Sequence, residues 1–157
     1  MGTRSEQVSE ALVQTITGPM WHGPALSEQL TGVSFEQAAS RPVAAAHTIW
    51  ELVLHIAVWA QIARARMQGE RLGDPSPEQD WPAQPEPPDA GQWAAVVEEM
   101  NDSYRFLAAD VAAVDERAFD LPVATLDYTL ETLLRGVVEH GTYHGGQIAL
   151  LKRAAGS

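Results

Sequence analysis

The sequence predicts an all-α protein, a bundle of four long helices, and three observations carry that prediction. Apolar residues recur at spacings of three and four in four separate segments. No segment alternates with period two over any length. Gly18-Pro19, Leu121-Pro122 and a proline-rich run punctuate the chain between the periodic segments. At 157 residues the chain has the length of one domain, 1–157, and its 45% hydrophobic content is enough to build a core.

The first helix is expected over Ser5 to Thr17, with Val8, Ala11, Leu12 and Ile16 on one stripe and Gly18-Pro19 as its stop. A long connection follows to His47. It is expected to hold a short helix near Ser34, because Ser34 and Gln37 have capping-box spacing. The second long helix opens at Thr48, whose hydroxyl can cap the Glu51 amide while the Glu51 carboxylate reaches back. Leu52, His55, Trp59, Ile62 and Arg66 form its inner stripe, and it ends by Gly69. Residues 70–89 hold six of the ten prolines, so an extended crossover loop with no helix is expected there, with Trp81 tucked against the body. The third helix starts after Asp89, with a seam of Trp93, Val97, Met100, Tyr104, Leu107, Val111 and Val114. The fourth runs from about Thr129 to Ala154, with Leu133, Val137, His140, His144, Gln147 or Ile148, and Leu151 facing inward. Four long helices with two long connections make a bundle.

Ten Lys and Arg against 21 Asp and Glu give a net charge of −11. A chain that acidic repels phosphate backbones and anionic bilayers, which sets nucleic acid and membranes aside as partners. With no cysteine there is no disulfide, no thiolate metal site and no cysteine nucleophile, so any thiol chemistry must use a thiol from outside. The first residues lack the apolar core of a signal peptide, and the apolar-leaning stretch 42–63 is interrupted by His47, Glu51, His55 and Gln61. A cytoplasmic location is expected.

The placement of the five histidines is the most informative feature. His140 and His144 are four residues apart, about 40° around a helix and one turn along it, so both imidazoles can reach one ion. His55 lies on the inner stripe of the second helix. Three imidazoles directed into one bundle interior are costly to desolvate unless something compensates, and a divalent metal does so. Neutral imidazoles suit zinc, nickel, iron or copper, and three of them with an open position form a catalytic arrangement.

Three stretches carry a family resemblance: Trp21-His22-Gly23-Pro24 with Leu26 to Leu30, Ile49 to Ile56 with Trp59, and His140-Gly141-Thr142-Tyr143-His144-Gly145-Gly146-Gln147-Ile148. In their order and spacing the sequence resembles the DinB/YfiT-like family of metal-dependent four-helix-bundle proteins. The resemblance implies an up-down-down-up bundle in which His55, His140 and His144 bind one divalent metal, nickel or zinc, in a homodimer. It further implies a small-molecule substrate and transfer or isomerisation with a low-molecular-weight thiol such as bacillithiol or mycothiol. The chain departs from the family at Gly145, where relatives commonly carry a basic residue, so a charge near the site is missing.

Other residues are candidates for the surroundings of that site. Gln147, three residues after His144, is placed to orient it or to be a satisfied core amide. Glu51, one turn before His55, is a candidate acceptor or base, although its capping role already accounts for it. Trp59 follows His55 on the same stripe. Tyr104 is placed either to aim its hydroxyl at the same cavity or to be core with its hydroxyl at the edge, and His22, in a Gly/Pro turn, is placed either near the mouth of the site or against solvent. His47 is expected at the surface. Gly136, Gly141, Gly145 and Gly146 interrupt the fourth helix at roughly 1 kcal/mol each relative to alanine, and close approach of another helix is the expected reason, with room for a substrate as the alternative. Three functional readings follow: a thiol-dependent S-transferase first, a metal-dependent hydrolase second, and a metal-stabilised ligand- or protein-binding dimer without catalysis third.

Overall fold

The computed structural model describes residues 2–156. Its helices are α1 (Arg4–Thr17), α2 (Leu26–Leu30), α3 (Phe35–Ala39), α4 (Ile49–Met67), α5 (Pro77–Asp80), α6 (Ala90–Ala112) and α7 (Leu130–Ala154), with a 3-10 turn over Glu116–Asp120. Among the described residues no strand forms, and none of the helices is long and apolar enough to cross a membrane. The ends lie where the capping residues put them. Thr48 accepts from the Glu51 amide while Glu51 reaches back, Ser34 does the same with Gln37, and Asp89 and Thr129 cap α6 and α7. Each such cap stabilises its helix by about 1 kcal/mol.

Side-chain pairs fix the direction of every long helix. The Ser9 hydroxyl donates to the Ala108 carbonyl, which ties α1 to the C-terminal part of α6. Trp50 packs on Trp93 near the start of α4 and α6, and Arg64 pairs with Asp110 near their ends, so these two run parallel. Arg66, at the end of α4, donates to the Tyr128 hydroxyl just before α7, which makes α4 and α7 antiparallel. Arg4 pairs with Glu131, and Thr15 abuts Gly141, so α1 and α7 run parallel. The result is the up-down-down-up bundle. Its core is closed by Leu12 and Ile16 of α1, Trp50, Val53 and Ile56 of α4, Met100, Tyr104 and Leu107 of α6, and Leu134 and Ile148 of α7.

One expectation fails in the connections, and one further short helix appears. The 70–89 segment is not helix-free: α5 forms inside it, because Ser76 caps the Gln79 amide and Pro77 occupies the first helical position, where a missing N–H costs nothing. Residues 26–30 also form a helix, with Glu28 reaching back to the Ala25 amide. The segment that follows α5 is tied to the bundle through Gln84, which accepts from the Thr48 hydroxyl and donates to the Ala39 carbonyl.

The glycines of α7 separate into two kinds. At Gly141 a Cβ would sit 2.6 Å from the Tyr104 hydroxyl and 2.7 Å from Thr15, so close helix approach accounts for this residue. At Gly136 and Gly146 a Cβ would meet nothing within 4 Å, and close approach does not account for them. Gly141→Ala is therefore expected to lower stability by about 1–3 kcal/mol, the range for overpacking a core. Gly146→Ala is expected to raise it by up to about 1 kcal/mol through helix propensity. Urea denaturation of the two variants checks the contrast, and a Gly141→Ala variant as stable as the parent would contradict the packing described.

Candidate metal centre

The second turn of α4 and the middle of α7 meet at three histidines. His55 and His144 are buried and His140 is partly buried. The Nε2 atom of His140 lies 2.9 Å from Nε2 of His55 and 3.1 Å from Nε2 of His144. The three residues are so placed that one nitrogen from each can hold a single ion.

The protons of the triad follow from the partners of the other ring nitrogens. Nδ1 of His55 lies 2.7 Å from the backbone carbonyl of Asp80. A carbonyl can only accept, so Nδ1 carries the hydrogen and Nε2 presents its lone pair. Nδ1 of His144 donates to Oε1 of Gln147 at 2.6 Å, and the Gln147 amide donates in turn to the Tyr143 hydroxyl. Its Nε2 is likewise a lone pair. Nδ1 of His140 is buried with no partner. Two bare nitrogens, and a third within 3.1 Å, therefore face one point. At most one hydrogen, on His140, is available to lie between them, and placing it there leaves the His140 Nδ1 lone pair buried and unpaired. A cation that accepts all three lone pairs removes the conflict, and this donor set, three neutral imidazoles, fits a divalent transition metal.

Burial also keeps the triad neutral. It lowers the basicity of His55, an effect that Asp80 only partly offsets, and of His144, where the Gln147 contact opposes it. His140 is pushed down to about 3 by burial first and by the neighbouring His144 and His55 second.

The segment around α5 supplies what sequence reasoning missed. Asp80 offers its carbonyl to His55 and its carboxylate to Trp59, whose indole N–H donates to Oδ1 at 2.7 Å. Trp81 lies flat on His55, ring centroids 3.8 Å apart and 2° from parallel. On its other face lies His47, at 3.6 Å and 3°. The Ser76–Gln79 capping spacing was the available signal for this turn, hidden by the surrounding prolines.

Three candidates take other places. Tyr104 does not face the triad: it is fully buried and donates to the Val137 carbonyl, and desolvation raises its phenol well above the ordinary value. His22 is exposed beside a small hollow near Gly141 and Gly145 that none of the three histidines of the triad borders. Glu51 makes no contact with His55. Its carboxylate caps α4, pairs with Arg41 at 2.7 Å and holds Nδ1 of His47 at 3.0 Å. His47 is thus more than a surface residue. Together with Trp81, Tyr143, His144 and Gln147 it borders a cleft of about 580 Å3, whose other walls are apolar. Gly145 is buried against Leu26, so no charge stands at that position.

The neutral, buried triad has a consequence for stability. An unfolded histidine takes a proton near its ordinary 6.5, whereas folded His140 resists protonation down to about 3. The unfolded state therefore binds more protons in this window, and stability is full above about 6.5 and is lost as the pH falls. The urea midpoint of metal-free protein is expected to drop between about pH 7.5 and 5, with a shallower drop in His140→Gln. Equal slopes in the two proteins would mean that the triad is not the source.

A family model described as the DinB superfamily matches residues 21–148, a span that contains all three histidines together with Asp80 and Trp81. No match was found among curated proteins or among solved structures. On the strength of that match over most of its length, this chain belongs to the DinB superfamily.

Proposed function

We propose that the chain binds one divalent transition metal, nickel or zinc, through His55, His140 and His144, and uses it to transfer a low-molecular-weight thiol to a small electrophile. The observation that carries this reading is the convergence of three Nε2 atoms whose ring partners, at His55 and His144, are already committed to Asp80 and Gln147. A divalent ion held by three neutral ligands keeps its full charge and lowers the pKa of a thiol brought to it.

The chain's own residues supply the rest. Asp80 and Gln147 hold two of the imidazoles in one tautomer and orientation, as acceptors behind metal-ligating histidines do. The cleft beside His144 accommodates the thiol: Val43, Leu52, Leu150 and Leu151 give it apolar walls, and His47, Gln147 and Tyr143 give it hydrogen-bonding groups. His47 takes the thiol proton at Nε2, and the Glu51 carboxylate at Nδ1 stabilises the imidazolium that results.

Elemental analysis of protein purified without chelator is expected to find about one transition metal per chain, absent in His55→Ala. A metal-free parent whose melting does not respond to added zinc or nickel would overturn the metal reading. Consumption of a thiol in the presence of an electrophile should stop on chelation. Gln147→Ala is expected to weaken metal binding by about 10- to 100-fold. His47→Gln should retain the metal and lose about 100-fold or more in thiol turnover. Turnover of activated esters without thiol, unaffected by His47→Gln, would replace transfer with hydrolysis.

A further inference from the structure

The groove between the second half of α4 and the first half of α7 contains another cavity, of about 320 Å3, bordered by Trp59, Tyr128, Leu133, Gly136, Val137 and His140. It shares no residue with the cleft on the other side of the triad. That cleft meets the triad at His144, and this cavity meets it at His140. Its volume is that of a small-ligand pocket, far below what a protein partner covers. From Leu133 to His140 the helix rises about 10 Å, the length of a substituted aromatic ring.

Gly136 is the telling residue. It stands in the interior of α7, where glycine costs roughly 1 kcal/mol relative to alanine. A Cβ there would meet nothing within 4 Å, so neither packing nor a neighbouring helix demands its absence. What the missing side chain leaves is space, and that space belongs to this cavity. No charged side chain lines it, and the Arg66 guanidinium behind Trp59 and Tyr128 is committed to the Tyr128 hydroxyl, the Gly73 carbonyl and the Asp74 carboxylate, so an anion entering it would lose its hydration with little compensation. Trp59 and Tyr128 offer aromatic surfaces for ring contacts. His140 closes the end of the cavity, with its Nδ1 buried and without a partner.

We propose that this cavity is a binding subsite for a small uncharged aromatic molecule, held against Trp59, Leu133 and Val137 beside His140, and that Gly136 is the residue that makes room for it. Binding stands independently of the metal. Its use as the site of the electrophile, opposite the thiol, rests on the metal-centre reading above. The reaction partners then approach the triad from two sides, one through each cavity.

Fluorine NMR with 4-fluorotoluene and 4-fluorobenzoate as probes tests the proposal on the full chain, zinc-loaded and chelated. The expected result is one site per chain for 4-fluorotoluene in both forms. Gly136→Leu should weaken it by about tenfold or more, Gly136→Ala by a smaller factor, and 4-fluorobenzoate should bind at least about tenfold more weakly than 4-fluorotoluene. If the leucine variant does not fold, the alanine variant, which favours helix, carries the test. No binding to the parent overturns the proposal, as does unchanged affinity in the glycine variants, which would move the probe to the other cleft. A parent dimer that Gly136→Leu splits, seen by sedimentation, would also overturn it by making the groove an interface. Zinc that fails to bind a parent still holding 4-fluorotoluene sinks the metal reading alone.

Discussion

Everything around the centre of this bundle answers one constraint: three imidazoles share a desolvated interior, and their Nε2 atoms lie within 3.1 Å of His140. In water each ring would be hydrogen-bonded at both nitrogens. Here the burial that packs α4 against α7 strips solvent from all three and suppresses their charge. The antiparallel course of α4 and α7 brings one histidine from the first helix opposite two from the second, one turn apart. Gly141, inserted between His140 and His144, lets α7 lie against Tyr104 and Thr15, so that the turn carrying both histidines is seated tightly in the bundle.

The long crossover between α4 and α6 is part of this solution. Its prolines prevent a long helix, yet Ser76 and Pro77 open a single turn whose end delivers Asp80 and Trp81 to His55. Gln84 then pins the chain to Thr48, the residue that starts α4, so the segment is held on both sides of Trp81. Glu51 belongs to the same assembly. It closes the cap of α4 and, with the same carboxylate, sets His47 against Trp81. One turn of helix and a capping box therefore set Asp80 and Trp81 against His55, with His47 and Glu51 behind Trp81.

Much of this was legible in the sequence, and the reasons are physical. The four long helices declared themselves by period, and Thr48, Ser34 and Asp89 marked their own starts because a capping side chain acts within three residues. The histidine triad was legible because each member sits on an inner stripe whose direction the helix fixes. Contacts that depend on a loop's path were not. Nothing local announces that Asp80 would turn its carbonyl to His55, or that Trp81 would lie between two imidazoles. The place of Tyr104 was hidden for a related reason: its seam position predicts burial correctly but not which neighbour its hydroxyl meets, and the buried Val137 carbonyl, which the bare Gly141 lets it approach, accepts from it. The glycines of α7 look alike in sequence. Only the packing around each one separates Gly141, where another helix presses in, from Gly136, where a cavity opens.

The acceptor that selects the tautomer of His55 is a main-chain carbonyl. Every amino acid carries one. Substitution at position 80 therefore leaves this acceptor in place so long as the turn keeps its path, and what is lost is the carboxylate, which anchors the turn through the Trp59 indole and itself lies 3.2 Å from Nδ1 of His55. The instruction that orients this imidazole is therefore written twice, in the route of the backbone and in the carboxylate beside it. The first part survives a change of residue type, while an insertion or deletion between Ser76 and Trp81 would carry the carbonyl away. A comparison of relatives that scores residue identity alone would register the carboxylate and miss the carbonyl. One that scores the length of this short segment would find it.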